Sequence, residues 1–179
     1  MTNRQEFRVL ETFRDFEIRE YQPCVIAEVA VPAEYSEASS RAFSSLFGYI
    51  SSGNKNLEKI SMTAPVISAQ KPNDSGTWYV SFAMPAGSRF ENMPKPNDAK
   101  VILRDLDSEM CVAQSFRGKA SAELSKKMEE QLRAAGAREN LTLSAETRIC
   151  RFDPPFKPGF LQYNEIVIPV SLPLDKSGL

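Results

Sequence analysis

Alternation of apolar and polar residues along the chain predicts most of its structure as β-strands, because successive side chains of a strand point to opposite faces. The first such segment covers residues 16–20. The second covers residues 24–31, where four apolar side chains share one face. Further strands are predicted over residues 59–69, 77–84, 101–106, 110–116, 147–152 and 165–170.

Two segments instead repeat their apolar residues every three or four positions, which predicts helices. The first helix covers residues 34–50. Its apolar stripe consists of Phe43, Leu46, Phe47 and Ile50. Such a stripe is either the core-facing side of the helix or one wall of a ligand pocket. The second helix covers residues 121–135, with Ser121 as a favourable N-cap and Gly136 as a stop signal.

The order strand, strand, helix, strand, strand occurs twice, in residues 7–84 and 101–171, and a proline-rich linker over residues 85–100 separates the copies. This repetition indicates an internal duplication within one domain, residues 1–179. One helix cannot cover the apolar face of a four-stranded sheet. We therefore expect the halves to close on each other as an eight-stranded, strongly bent antiparallel sheet or open barrel with two helices outside. A ligand groove is expected between the halves.

Composition restricts the function further. The chain has 22 basic and 23 acidic residues, a balance that argues against nucleic-acid binding. No apolar run approaches the about 20 residues of a membrane-spanning helix, and the first residues lack the apolar centre of a signal peptide. We expect a cytoplasmic protein without a membrane partner. Cys24, Cys111 and Cys150 are widely spaced, which predicts buried apolar side chains rather than a disulfide framework or a zinc site.

The chain contains no histidine. This absence removes the usual general acid and base of neutral pH and the commonest metal ligand, and it excludes Ser-His-Asp and Cys-His triads. A haem iron would have only Cys, Met or Tyr side chains available. There is also no glycine-rich phosphate loop. We therefore assign no catalytic residue and no metal ligand, and we favour a binding protein over an enzyme.

Several side chains remain as candidate ligand contacts, each with a structural alternative. Phe156, Phe160 and Tyr163 lie in a proline-rich loop before the last strand, where their rings either stack on a planar ligand or form a stiff lid. Met62 is either a ligand contact or a core-filling residue. Glu165 is a candidate buried, ligand-binding carboxylate at the start of the last strand; the alternative is a solvent-facing residue at the rim.

Four motifs of the chain resemble the SOUL haem-binding protein family, and the similarity covers roughly residues 7–171. They are Phe16–Tyr21, the turn Gly48-Tyr49-Ile50-x-x-Gly53-Asn54, the strand Lys59–Val66, and the loop Asp153-Pro154-Pro155-x-x-Pro158 followed by Asn164-Glu165. The resemblance implies an α+β fold. It would be a distorted eight-stranded antiparallel β-barrel built from two pseudo-symmetric ββαββ halves and flanked by two helices.

The resemblance also implies a ligand, namely free haem or another tetrapyrrole, in an apolar groove near the first helix and the loop before the last strand. The matching positions are Phe43, Phe47, Gly48, Met62, Phe156, Phe160 and Tyr163.

The chain departs from the family at the basic residues that suit haem propionates. Relatives place one at the position of Gly48, and a basic pair where this chain has Gln162 and Tyr163. Arg41 and Lys55 are the nearest substitutes in the sequence.

We therefore predict a monomeric, non-enzymatic protein that binds haem or another planar amphiphile without histidine ligation. Two other classes stay open. One is an effector-binding module in which Glu165 meets a cationic or neutral small molecule. The other is an enzyme that acts on a tetrapyrrole or a hydrophobic ester through Glu165 and a tyrosine.

Overall fold

The computed structural model describes residues 3–171, which form twelve strands and two α-helices. The ends of the predicted domain, residues 1–2 and 172–179, lie outside the described residues. The strands are β1 (Asn3–Arg4), β2 (Phe7–Thr12), β3 (Glu17–Tyr21), β4 (Cys24–Val31), β5 (Thr63–Ala64), β6 (Val66–Lys71), β7 (Asp74–Ala83), β8 (Ile102–Leu106), β9 (Glu109–Arg117), β10 (Thr142–Leu143), β11 (Arg148–Arg151) and β12 (Tyr163–Ser171). The helices are α1 (Tyr35–Ile50) and α2 (Ala122–Arg138). Neither is long and apolar enough to cross a membrane.

The main sheet has nine strands in the order β2-β3-β9-β12-β11-β6-β7-β4-β8, and β10 adds to β12. All its strand pairs are antiparallel. The sheet curls strongly into a half-barrel, which confirms the predicted α+β class. The first strand of each predicted half pairs with the other half, β3 with β9 and β8 with β4. Apart from β2, the order is therefore symmetric about the central pair β6–β11.

Both helices pack on the same side of the sheet, which we call the helix face. α1 lies on β4 and β7, whereas α2 lies on β9, β10 and β12. Val29 and Phe82 are buried beneath α1, and Val112 and Ile166 are buried beneath α2. A third, smaller apolar cluster that includes Tyr21 lies on the opposite face. The alternation in the sequence thus supplies apolar residues to both faces.

The buried stripe of α1 differs from the predicted one. The buried side chains of the helix that join the core beneath it are Ala38, Ala42, Leu46, Tyr49 and Ile50. Phe43 and Phe47 lie on the flank of this stripe and are 38% and 48% exposed. The prediction of a core-facing seam is therefore correct for Leu46 and Ile50 and wrong for the two phenylalanines. The small side chains of Ala38 and Ala42 set a close approach between helix and sheet, which leaves little room for a phenyl ring.

A buried asparagine organises the turn that follows α1. The Nδ2 group of Asn54 donates to the carbonyl oxygens of Tyr49 and Glu58, and its Oδ1 accepts from the amides of Asn56 and Glu58. The side chain thereby satisfies four backbone groups that the turn leaves without partners. The Ser-Gly-Asn turn predicted after the helix is therefore held by side-chain hydrogen bonds.

Replacing Asn54 tests this function. We expect Asn54→Ala to lower the free energy of unfolding by about 2–3 kcal/mol, because buried amide and carbonyl groups lose their partners. Asn56→Ala, an exposed change in the same turn, should shift it by no more than about 0.5 kcal/mol. Urea denaturation measures both values, and equal effects of the two variants would contradict this function of Asn54.

Candidate ligand-binding site

On the helix face, the central strands β6 and β11 lie between the strands that α1 and α2 contact, and we call this strip the groove. Its inner residues Ser68 and Ile149 are buried, and its end at Val66 and Arg151 is half-buried. Directly paired residues of an antiparallel sheet point their side chains to the same face. Arg151 pairs with Val66, and Val66 pairs with Phe82. Phe82 belongs to the core beneath α1. These three residues, which we call the floor row, therefore lie side by side on the helix face.

The wall of the groove on the α1 side consists of side chains one helical turn apart. They are Tyr35, Ser39, Phe43 and Phe47. The rings of Phe43 and Phe47 are stacked with centroids 5.6 Å apart and planes 13° apart. Phe43 also meets Phe82 edge-on at 5.9 Å, which places it over one end of the floor row. The wall therefore changes from buried polar side chains at its start to half-exposed aromatic rings at its end.

The loop between β11 and β12 has a fixed internal structure. The Asp153 carboxylate accepts a hydrogen bond of 2.7 Å from the Tyr163 amide and pairs with Lys157 at 2.9 Å. The amide and then the lysine hold the pKa of Asp153 below its usual value. Arg117 donates to the Leu161 carbonyl oxygen at 3.0 Å, which ties the loop to the end of β9. Hydrogen bonds therefore stabilise the conformation of this loop in addition to its prolines.

The same loop presents aromatic rings to solvent at the end of the groove. It starts one residue after Arg151 of the floor row. Phe156 and Phe160 are 87% and 76% exposed.

Met62 lies at the same end of the sheet. The hydroxyl of Thr63, the next residue, donates to the carbonyl oxygen of Ala83 at the end of β7. Met62 itself is 40% exposed, so the alternative that it fills the core is wrong. Met62 is exposed because it precedes the short strand β5, which ends at Ala64. The chain rejoins the main sheet only after Pro65, with β6, so Met62 lies outside it.

Gly48, Arg41 and Lys55, which the sequence analysis considered for contacts with haem propionates, lie away from the groove wall. Gly48 follows Phe47 and is rotated by about 100° around the helix axis from it. It is exposed, and an added Cβ there would meet no atom within 4 Å. Arg41 pairs with Glu37 on the exposed side of α1. Lys55 is exposed in the turn after α1.

Tyr163 and Glu165 lie on the opposite face of the sheet, in a charged network. Glu165 is 1% exposed. The Arg19 guanidinium donates to its two oxygens at 2.8 and 3.2 Å, and Arg4 reaches Oε2 at 3.3 Å. The Tyr163 hydroxyl donates to Oε1 at 2.7 Å. Burial and then this hydrogen bond raise the pKa of Tyr163.

Of the two alternatives for Glu165, the buried carboxylate is therefore correct and the solvent-facing rim residue is wrong. Arg19 also bonds to Glu17 and Tyr21, and its guanidinium lies 4.2 Å from the centre of the Phe7 ring. Strand β2 pairs with β3 and brings that ring over the arginine. A cavity of about 20 Å³ remains beside the network, room for about one water molecule.

The structure thus divides the predicted contacts into two groups. Phe43, Phe47, Met62, Phe156 and Phe160 are exposed, whereas Tyr163 and Glu165 lie behind the sheet in the charged network. Of the aromatic contacts among residues 3–171, none joins the two groups.

Sequence reasoning did not identify the floor row or the polar part of the wall. Arg151 has a usable signal, since strand alternation puts it on the same face as apolar Ile149. A cation on an apolar strand face is a reason to suspect a ligand. Ser39 carries no comparable signal, because serine is common on helix surfaces. Within residues 3–171, no group of three or more His, Cys, Asp or Glu side chains is arranged to hold a metal ion.

Comparison with known proteins identifies related sequences. A family profile described as SOUL heme-binding protein matches residues 2–169. Heme-binding protein 2 of Mus musculus is 30% identical over 122 residues, which cover 65% of this chain and 58% of that protein. The chain therefore matches just over half the length of this relative.

Several solved structures share the fold. The C-terminal domain of EcmrR has a TM-score of 0.68 at 12% identity, over 87% of this chain and 96% of that one. An uncharacterized conserved protein from Listeria innocua has a TM-score of 0.61 at 13% identity, over 88% and 93%. SAV2435 bound to tetraphenylphosphonium has a TM-score of 0.55 at 14% identity, over 88% and 94%. At these identities the similarity shows a common fold and nothing finer.

The Arg19–Glu165 pair generates a stability prediction. We expect Glu165→Gln to lower the free energy of unfolding by about 3 kcal/mol, because it removes the buried counter-charge of Arg19 and leaves only the more exposed Glu17. The matched control is Glu20→Gln, which removes a more exposed pair with Arg8 and should cost at most about 1 kcal/mol. Urea denaturation measures the free energy of unfolding of both variants. A Glu165→Gln variant as stable as the control would contradict the assigned pairing.

Proposed function

The chain belongs to the SOUL heme-binding protein family, and we propose that it binds haem or another planar tetrapyrrole in the groove between α1 and α2. The observation that carries the proposal is the stacked pair Phe43 and Phe47, which is half exposed on the groove wall. Phe43 contacts Phe82, whose strand neighbour is the apolar Val66. Parallel aromatic rings next to an apolar floor offer the flat contact that a tetrapyrrole requires.

The loop before β12 supplies a second contact to the same ligand. Phe156 and Phe160 are exposed where the floor row ends. Covering half of a phenylalanine side chain contributes about 1 kcal/mol, so the four exposed rings together give apolar contact a substantial share of the affinity. The hydrogen bonds that fix the loop lower the entropy that binding would otherwise cost.

The iron of a bound haem would have no histidine ligand from this chain, because the chain contains none. Met62 carries a soft thioether at this end of the sheet and is exposed. We propose that apolar contact holds the ring and that no strong axial ligand is involved. An iron-free porphyrin should therefore bind about as well as haem.

The charge distribution favours the groove over the opposite face. A cationic ligand behind the sheet would have to replace Arg19, which already binds both oxygens of Glu165. Removing a buried guanidinium from its carboxylate costs several kcal/mol. This cost disfavours an effector-binding function that depends on Glu165.

A hemin titration with matched variants tests the proposal. Wild-type protein should give a saturable change in the Soret band with one site. Phe47→Ala and Phe43→Ala should each raise the dissociation constant about tenfold, which corresponds to a loss of about 1.4 kcal/mol. Phe90→Ala is the control, because Phe90 is 45% exposed but lies in a short 3-10 turn beside the edge strand β8. Equal effects of all three changes, or a wild-type titration like that of an unrelated protein, would refute the groove as the site.

A further inference from the structure

A short segment ahead of β2 lies against the opposite face of the sheet. Residues 3–6, which we call the strap, include β1, and β1 pairs in parallel with β5 outside the main sheet. The Gln5 amide donates to the Ala64 carbonyl oxygen at 3.2 Å, and the Gln22 amide donates to the Glu6 carbonyl oxygen at 3.0 Å. A segment attached in this way opens locally at a lower free energy than the core strands do.

Arg4 of the strap contacts both ends of the loop between β11 and β12. At the first end, the Arg4 guanidinium lies 4.7 Å from the centre of the Phe152 ring. At the other end, Arg4 Nη2 donates to Oε2 of Glu165, the third residue of β12, at 3.3 Å. The guanidinium also lies 4.7 Å from the centre of the Phe7 ring. A cation at this distance from an aromatic ring is attracted by the quadrupole of the ring.

The two ends of the loop also contact each other. The rings of Phe152 and Tyr163 meet edge-on with centroids 5.2 Å apart, and the Phe152 amide donates to the Tyr163 carbonyl oxygen at 3.3 Å. The Tyr163 hydroxyl in turn donates to Glu165, the carboxylate that Arg4 reaches. These four side chains therefore form one connected cluster at the base of the loop that carries the exposed rings of the proposed site.

The strap also closes the small cavity beside the charged network. Arg4 and Gln5 line this cavity together with Cys150 and Glu165 of the sheet, which are both buried. Burial raises the pKa of the Cys150 thiol, and thiols react as thiolates. Cys150 should therefore react slowly while the strap is closed, which makes its labelling a measure of strap opening.

We propose that the strap couples the opposite face of the sheet to the groove: Arg4 holds the loop in the conformation that receives the ligand, and release of the strap weakens ligand binding. This inference rests on the proposed function, because it takes Phe156 and Phe160 of the loop as ligand contacts. Arg4 is a positioning residue that acts through Phe152 and Glu165. Because coupling is reciprocal, a bound ligand must also favour the closed strap.

A hemin titration of strap variants tests the first half of the coupling. Arg4→Met removes the charge but keeps a long side chain, and Arg8→Met is the matched control, because Arg8 pairs with the half-buried Glu20 on β3. Arg4→Met should raise the dissociation constant of hemin about fivefold, whereas Arg8→Met should leave it unchanged. Arg4→Lys should recover part of the loss, because a cation remains beside the rings.

Labelling with N-ethylmaleimide, followed for each cysteine by mass spectrometry, tests the second half. In Arg4→Met, Cys150 should be labelled at least tenfold faster, whereas Cys111, which is buried on β9, should keep its wild-type rate. Saturating protoporphyrin IX should slow the labelling of Cys150 in wild-type protein about fivefold and should slow that of Cys111 less.

The outcomes separate this inference from the proposed function. If Phe47→Ala weakens hemin binding and Arg4→Met does not, the groove is correct and the coupling is refuted. Equal acceleration of Cys150 and Cys111 in Arg4→Met would also refute it, because the whole fold is then destabilised. If wild-type protein binds neither hemin nor protoporphyrin IX, both proposals fail. Should Arg4→Met not fold, the wild-type labelling decides, and equal protection of the two cysteines by the porphyrin, or none, would refute the coupling.

Discussion

Two helices are too narrow to cover this sheet, and the candidate site follows from that constraint. Adjacent strands lie about 4.8 Å apart, so the nine-strand path is about 38 Å wide along its surface. An α-helix with its side chains is about 10 Å wide. Each helix therefore packs on the strands of its own side, and the central pair β6–β11 lies between them. Ser68 and Ile149 in the middle of this pair are buried, whereas Val66 and Arg151 at its end stay half-buried. The accessible part of the strip is therefore the end beside Phe43.

The two faces of the sheet accommodate their polar groups differently. On the opposite face, Arg19 pairs with Glu165, and Arg148 pairs with Glu109 at 2.7 Å. Its buried charges are therefore compensated within the protein. On the helix face, Arg151 forms none of the ion pairs found among residues 3–171, and its buried Nε has no hydrogen-bond partner. Exposed aromatic rings lie on this face as well, on α1.

The fold was predictable because its signals are local. The strand predicted over residues 24–31 is Cys24–Val31 in the structure, and the helix predicted over residues 34–50 is Tyr35–Ile50. The exposure of Phe43 was not predictable in this way, because the position of the second helix decides which flank of α1 stays open. The burial of Glu165 depends on its ion pair with Arg19, which is 146 residues away in the chain. No local sequence pattern predicts that these two residues form a pair. Family resemblance suggested the aromatic candidates Phe43 and Phe47, whereas the floor row became visible only through strand register.

Paramagnetic broadening by ferric haem tests the central claim most directly, because the loss of each backbone amide signal depends steeply on distance from the iron. In ¹H–¹⁵N spectra with substoichiometric hemin, the groove account predicts the strongest losses at Phe43, Phe47 and the loop over residues 153–162. The signals of β2 at the sheet edge should persist. Strongest losses in β2 and β3, or uniform losses throughout the chain, would contradict it.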